Sequence, residues 1–406
     1  MATRLVTGQF NDSFVPIIDG VSLTVQNYAY WLNRSLGPAY VVAPSIPGHV
    51  DRFEFPVLRY FSVPFPKRRP YRVGIPPLDV TFLNQIRAIP FDLVHAHCPF
   101  VAGQLALIIA RARGIPIVAT FHTKYRENIE TVAPSPRIID YAVKVIVDYY
   151  QSVDEVWVPN EATGRTLRDY GYKGEYEVVP NGADIEILPN ERSALRERGN
   201  EALGTAPTDT VLLFVGQHVW EKNHGLLLNA LKIAREQGGR FRMFFVGTGY
   251  AELEMRQLAE QSGLRDCVTF LGIVCDRERL RSLYARADLL LFPSLYDNAP
   301  LVVREAAACY LPALLIENSA AAEGVEDGRN GFLAPNSAEG YAERLVSLLG
   351  NRRLLEQVGE RAHATLYHTW RDVVAEVQQR YLDIVSRHEG KDRTARRRLR
   401  LPVLRS

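Results

Sequence analysis

Short apolar runs, rich in β-branched residues, recur along this chain. Longer stretches with apolar positions three and four apart separate them. In the first half the runs predict strands over 5–7, 39–43, 93–97, 115–120, 155–158 and 176–179. In the second half they predict strands over 211–215, 241–246, 268–271, 289–292 and 312–316. Helical periodicity covers 21–36, 101–113, 224–237 and 370–387. Strands that are apolar throughout and alternate with helices belong to parallel sheets covered on both faces. The second series restarts after a polar break at Pro180-Asn181-Gly182-Ala183-Asp184 and a charged stretch over 190–200, which together read as a crossing between domains. A closed barrel of eight strand–helix units is the rival, and the restart argues against it. The expected organisation is an N-terminal domain over 1–182 and a second over 183–368. A helix over 369–388 then packs back on the first domain, and a basic, flexible tail covers 389–406.

Composition narrows the class. Of 406 residues, 47% are hydrophobic and 23% charged, which excludes a disordered or collagen-like chain. The four cysteines, Cys98, Cys267, Cys275 and Cys309, are too scattered for a disulfide framework, and none forms a C-x-x-C pair. A reducing, cytoplasmic setting is expected. His95 and His97 share one face of a strand, but no third ligand has matching spacing, so no metal is expected. The apolar start is broken by Arg4, Gln9, Asn11 and Asp12, so no signal peptide is expected. No apolar run approaches the ~18–20 residues of a membrane span.

The net charge of +2 hides an asymmetry. Residues 387–406 carry eight basic and two acidic side chains, and Lys67 to Arg72 form a second basic segment. Both suit an anionic membrane surface at ~1 kcal/mol per basic residue, and both equally suit a solubilising role. The tail lacks interleaved aromatics, which disfavours nucleic acid.

The stretch from Phe292 to Ala308 carries the most chemistry. A buried strand ends at Pro293, a polar turn follows, and a helix begins near Pro300. The amides of Leu301, Val302 and Val303 would then face an anion. Asp297 lies in the turn and Glu305 further along the helix. Two carboxylates near such a helix start suit a ligand with both phosphate and hydroxyl groups. A capping Asp297 and a solvated Glu305 would give the same pattern.

These residues resemble the fourth sequence family of glycosyltransferases, which places two Glu, with seven residues between them, on a strand–turn–helix. Asp297 and Glu305 have that spacing, with Asp at the first position. Other segments match in order: Asn11 to Phe14 with Asp19-Gly20-Val21, His97 to Phe100, Phe121 to Tyr125, and Val179 to Asp184. Val215-Gly216-Gln217 with Glu221-Lys222-Asn223 and the turn from Gly324 to Leu333 continue the series. The resemblance runs from about residue 5 to about 370. It implies the α/β GT-B architecture: two facing Rossmann-like domains with parallel sheets and an interdomain cleft.

The resemblance also implies an activity: retaining, metal-independent transfer of a hexose from a nucleotide-diphosphate sugar to a hydroxyl. The donor is a substrate, no cofactor is involved, and UDP is favoured over GDP. Lys222, Asp297 and His122 carry the catalytic assignments. Donor binding falls to Gly20, Gly216, Gln217, Lys222, Ile273, Asp297, Leu301, Val302 and Glu305. Glu305 would accept from the ribose diol, Lys222 would meet the departing diphosphate, and backbone near Ile273 would face the base. The family has Arg where Gln217 stands, which shifts charge stabilisation onto Lys222 and the helix amides. The acceptor is expected to be a membrane lipid or a cell-envelope glycan precursor, used at the cytoplasmic face. The rivals are a nucleotide-sugar 2-epimerase and a non-catalytic sugar-nucleotide-binding subunit. Gly247-Thr248-Gly249 follows a strand as a dinucleotide fingerprint would, but Glu252 replaces the third glycine.

Overall fold

A computed structural model describes residues 4–66, 70–130 and 135–399. The chain divides into two compact units, Met1–Pro180 with Trp370–Ser406, and Asn181–Thr369.

The first unit is built on β1 (Thr7–Phe10), β2 (Ala39–Pro44), β3 (Val57–Tyr60), the hairpin β4 (Ser62–Pro64) and β5 (Arg72–Gly74), β6 (Leu93–Ala96), β7 (Ile117–Thr120), β8 (Glu155–Val158) and β9 (Glu177–Val178). Seven of these form one parallel sheet in the order β3-β2-β1-β6-β7-β8-β9. The central strands are buried on both faces, which is why they read as continuous apolar runs. β1 begins two residues later than its pattern suggests. Leu5 and Val6 supply the apolar signal, whereas the buried strand itself contains Gly8 and the fully buried Gln9. The helix Gly20–Ser35 follows β1 and is capped by Asp19, whose carboxylate accepts from the Ser22 amide at 2.7 Å.

The second unit contains β10 (Val211–Val215), β11 (Arg242–Val246), β12 (Val268–Gly272), β13 (Leu289–Phe292), β14 (Ala313–Ile316) and β15 (Phe332–Ala334). They form a parallel sheet in the order β12-β11-β10-β13-β14-β15. The charged stretch over 190–200 is not a linker but part of a helix, Arg192–Leu203. Its apolar face was too sparse to read: Leu195, Gly199 and Leu203 are buried, and the helix packs on the helix Arg277–Arg286. A Cβ on Gly199 would lie 2.3 Å from the Ser282 carbonyl, so glycine sets how closely the two helices approach.

The final helix, Trp370–Leu399, groups with the first unit. Val373, Val377, Tyr381 and Ile384 recur at helical spacing and are buried. The helix continues to Leu399, where the sequence pattern suggested a tail from 389. Lys, Ala and Arg all favour helix, and no proline intervenes before Pro402. Among the described residues, no helix is long and apolar enough to cross a membrane.

Candidate functional site

In an open parallel sheet, the strand order reverses at one point, and loops leaving the carboxyl ends of the two strands there diverge to leave a crevice. In the second unit this point lies between β10 and β13, because the chain runs β10-β11-β12 to one side and β13-β14-β15 to the other. Gly216, Gln217 and Lys222 follow β10. Asp297, Leu301, Val302 and Glu305 follow β13. Ile273 follows β12 and is 59% exposed.

Lys222 and Asp297 meet directly. The Lys222 ammonium donates to both Asp297 oxygens at 2.7 Å, and its Nζ lies 5.2 Å from the centre of the Phe292 ring. The lysine side chain is only 11% exposed, so it is not a free surface lysine. Ser294 donates to Asp297 Oδ2 at 2.6 Å and accepts from the Asp297 amide at 3.2 Å. Asn223 ties the lysine turn to the end of β13 through the Pro293 carbonyl, at 3.3 Å. Asp297 therefore holds the ammonium rather than capping the helix.

The helix Leu301–Ala308 begins with Pro300 as its N-cap, and no side chain caps it. Of the three amides expected to face an anion, that of Val303 bonds to the Pro300 carbonyl at 3.3 Å. Leu301 and Val302 keep the geometry of a helix start.

Glu305 is buried, which removes the solvated-face alternative. Tyr284 donates to its Oε2 at 2.8 Å. Burial pushes the carboxyl above its ordinary 4.5, while the Tyr284 bond and the charge of Arg277 pull it back. An acid with a raised folded pKa binds its proton more tightly in the native state. Its contribution to stability therefore falls as pH rises from the unfolded value through the folded one. Glu305→Gln keeps an acceptor for Tyr284 and removes this penalty. The variant should melt higher than the parent at neutral pH, with the difference vanishing below pH 4.5. Thermal unfolding across pH measures it.

The glycines near this site have a packing cause. Gly216 has φ of 153° and Gly247 of 129°. A Cβ on Gly247 would lie 1.9 Å from the Gly216 carbonyl oxygen, and one on Gly249 2.1 Å from that of His218. The turn after β11 is thus pressed against the turn after β10, and His218 N donates to Thr248 O at 2.9 Å. The apparent dinucleotide fingerprint is a backbone crossing. Gln217 is exposed, and its carbonyl is bonded to His224 Nε2 at 3.1 Å.

The reversal point of the first unit lies between β1 and β6. Gly20 starts the helix after β1, and a Cβ there would meet nothing within 4 Å. Asp19 already occupies that helix start and is held by Ser13 Oγ at 3.0 Å and by Tyr71 Oη at 3.3 Å. His122 follows β7 and is half-buried, and its Nε2 lies 3.1 Å from His97 Nδ1. Burial pushes its pKa down to about 3, so the ring is neutral at physiological pH. Tyr284, Ser294 and His97 escaped the sequence reading as partners of these groups. Each comes from a distant or polar segment with no spacing signal.

Of the basic segments, residues 67–69 and the side chains of 391–406 lie outside the described residues. Arg72 bonds Ser62 Oγ and the Ser62 carbonyl, both at 2.7 Å, and Arg387 pairs with Glu155. Among the described residues, no group of three or more His, Cys, Asp or Glu side chains could hold a metal ion.

A Rossmann-like unit with a half-buried lysine, an uncapped helix start and a buried carboxylate at its strand ends has the groups that a phosphate-bearing, hydroxyl-bearing ligand requires. Residues 196–365 match the family described as glycosyl transferases group 1, and residues 18–187 match glycosyltransferase family 4. The chain belongs to this family and is a glycosyltransferase of GT-B architecture. It is 25% identical over 397 residues to the alpha-monoglucosyldiacylglycerol synthase of Acholeplasma laidlawii, covering 95% of this chain and 98% of the relative. It is 30% identical over 296 residues to D-inositol 3-phosphate glycosyltransferase 2 of Catenulispora acidiphila, covering 67% and 66%. Its fold is similar to that of HepE of Anabaena, solved with UDP and glucose. The TM-score is 0.71 at 20% identity, covering 93% of this chain and 99% of that one.

Proposed function

We propose that this glycosyltransferase is a retaining, metal-independent enzyme that moves a hexose from a UDP-sugar to a hydroxyl of a membrane lipid or a cell-envelope glycan precursor. The lipid-synthase name of one relative and the UDP-bound state of HepE support the substrate classes. The observation that carries the reading is the Lys222 ammonium, half-buried and held by Asp297 in the turn after β10, at the reversal point of its sheet. Breaking the glycosidic bond puts negative charge on the leaving diphosphate. Lys222 and the amides of Leu301 and Val302 are the groups that meet it. Asp297 presents the ammonium before the donor arrives and turns to a sugar hydroxyl once the lysine engages phosphate. Glu305 accepts from the ribose diol, Ile273 backbone faces the base, and Gly216 and Gln217 line the phosphate turn. Gly20 and His122 keep the donor-binding and catalytic assignments that the family resemblance gives them. A cytosolic donor and a lipid acceptor place the enzyme at the cytoplasmic membrane face, aided by the basic segments.

A panel of UDP- and GDP-sugars scored by thermal shift tests the donor, since a ligand at 100 times its Kd stabilises by ~2.7 kcal/mol. Stabilisation by GDP-sugars alone would overturn the UDP assignment. NMR of the product reads its anomeric configuration, and an inverted product would overturn retention. Consumption of UDP-N-acetylglucosamine with no acceptor present would instead identify an epimerase, and failure to turn over any donor would leave a binding subunit.

A further inference from the structure

Gly216, Gln217 and His218 leave β10 at the reversal point of the second sheet, and most of their main-chain polar groups are already bonded. Gly216 N donates to the Val246 carbonyl at 3.0 Å, and His218 N to that of Thr248 at 2.9 Å. The His218 carbonyl accepts from Ala251 N at 3.0 Å, and the Gln217 carbonyl from His224 Nε2 at 3.1 Å. The Gln217 amide differs: it has no partner among the described residues.

Its direction follows from its neighbours. A Cβ on Gly247 would lie 1.9 Å from the Gly216 carbonyl oxygen, so that carbonyl points toward the turn after β11. The Gly216–Gln217 peptide is trans, and its N–H points opposite to its C=O. β10 lies between β11 and β13. The amide therefore faces away from β11, on the side of β13, whose loop carries Asp297. Lys222 runs past the same peptide: a Cβ on Gly216 would come 3.7 Å from Lys222 Cδ.

His224 fixes the peptide that follows. Asn223 adopts the left-handed conformation, at φ 63°, and the helix His224–Glu236 opens on the histidine. A carbonyl oxygen can only accept, so His224 carries its proton on Nε2. Turning the ring over would set a carbon against that oxygen and lose the bond. The residue is fully buried, and burial pushes its pKa down to about 4, so it offers one donor at neutral pH. Its Nδ1 is buried without a partner. An unmet buried nitrogen costs stability that leucine would not, and the bond to Gln217 is what the histidine supplies in return. With His218 N on Thr248 and the Gln217 carbonyl on His224, this peptide is held at both ends, and the amide before it cannot swing.

We propose that the main-chain amide of Gln217 binds phosphate beside Lys222, and that His224 is the residue that positions it. A main-chain donor thus takes up part of the role that a charged side chain at position 217 would fill. That the phosphate belongs to a nucleotide-diphosphate sugar rests on the function proposed above; the direction of the amide does not.

The test uses inorganic pyrophosphate on full-length protein labelled with 15N-glutamine. The main-chain signal of Gln217 is assigned by its loss in Gln217→Ala. In the parent, that signal should move downfield as pyrophosphate saturates the protein. By calorimetry Gln217→Ala should bind pyrophosphate as the parent does, because the main-chain donor stays in place. His224→Leu should bind about tenfold more weakly, the effect of one lost hydrogen bond to a charged group. His224→Gln, whose Nε2 reaches the same carbonyl, should restore the affinity. His224→Asn stops short of that carbonyl and takes the place of His224→Leu if the latter does not fold. A parent that does not bind pyrophosphate, a Gln217 signal that stays put, or a weakened Gln217→Ala would overturn the amide assignment. Parental affinity in His224→Leu would overturn the role of His224. No reading here needs sugar transfer. A chain that transfers no sugar but shifts Gln217 would lose the function above and keep this site. One that transfers sugar with Gln217 unmoved would lose this site alone.

Discussion

Lys222→Ala should lower turnover by about 10²–10³-fold, the range seen when one charge-stabilising donor is removed. It should also weaken UDP far more than uridine, because the lost charge faces the diphosphate and not the nucleoside. The expectation is sharper here than for a chain with arginine at position 217, since the exposed Gln217 brings no charge. Steady-state kinetics and calorimetry with UDP and uridine measure both effects. Equal weakening of the two ligands, or turnover within a few-fold of the parent, would remove Lys222 from its role. One complication is built into the site. Lys222 also neutralises Asp297, which is 19% exposed and otherwise held by Ser294. A Lys222→Ala/Asp297→Ala double variant separates the two roles. It should recover any stability lost through the orphaned carboxylate and none of the turnover.

Arg286→Ala should destabilise the second unit by about 3–5 kcal/mol, the cost of breaking a buried ion pair by deleting one partner. Arg286 is fully buried. It donates to Asn200 Oδ1, to the carbonyls of Ala206 and Asp209 at 3.0 and 2.8 Å, and to Asp288 Oδ2 at 3.1 Å. Asp288 is shared with Arg196 at 2.6 Å and with the Val211 amide at 2.8 Å. One guanidinium thus joins the helix Arg192–Leu203, the loop before β10 and the entry to β13. Removing it leaves two carbonyls and part of a carboxylate without their donor. Denaturant unfolding reads the loss, and a change under 1 kcal/mol would refute the account. The site lies at the other end of β13, beyond Phe292, so the variant that remains folded should bind donor normally.

These two cases show what could be read from the chain. Lys222 and Asp297 stand in short motifs, and their partnership follows from two strand ends meeting at one reversal point. Glu305 was legible as a residue but not as a buried one, because its partner Tyr284 comes from a separate helix and leaves no local trace. The helix Arg192–Leu203 was misread as a linker because arginine and glutamate dominate it. What holds it is an arginine 86 residues from Asn200. Gln9 and His95 were visible as residues, but their partner Tyr381 was not. They are polar where periodicity expects hydrocarbon, and only their long-range partners make that tolerable. Periodicity reports burial along one element. It is silent on pairings that close across the sheet.

The chain leaves the first unit at Pro180 and re-enters it at Trp370, and inside the excursion Ala183 bridges Thr369 and bonds the His368 carbonyl at 2.9 Å. The second unit is therefore a contiguous piece whose two ends are stitched together, like a bead on a loop of thread. It can be excised, or its ends fused and new ones opened elsewhere, without cutting its own sheet. The first unit has no such freedom. Shorn of its last forty residues, it would lose Tyr381 and the valines that seal its interior, so a stop codon late in the message disables the front of the protein and not its back.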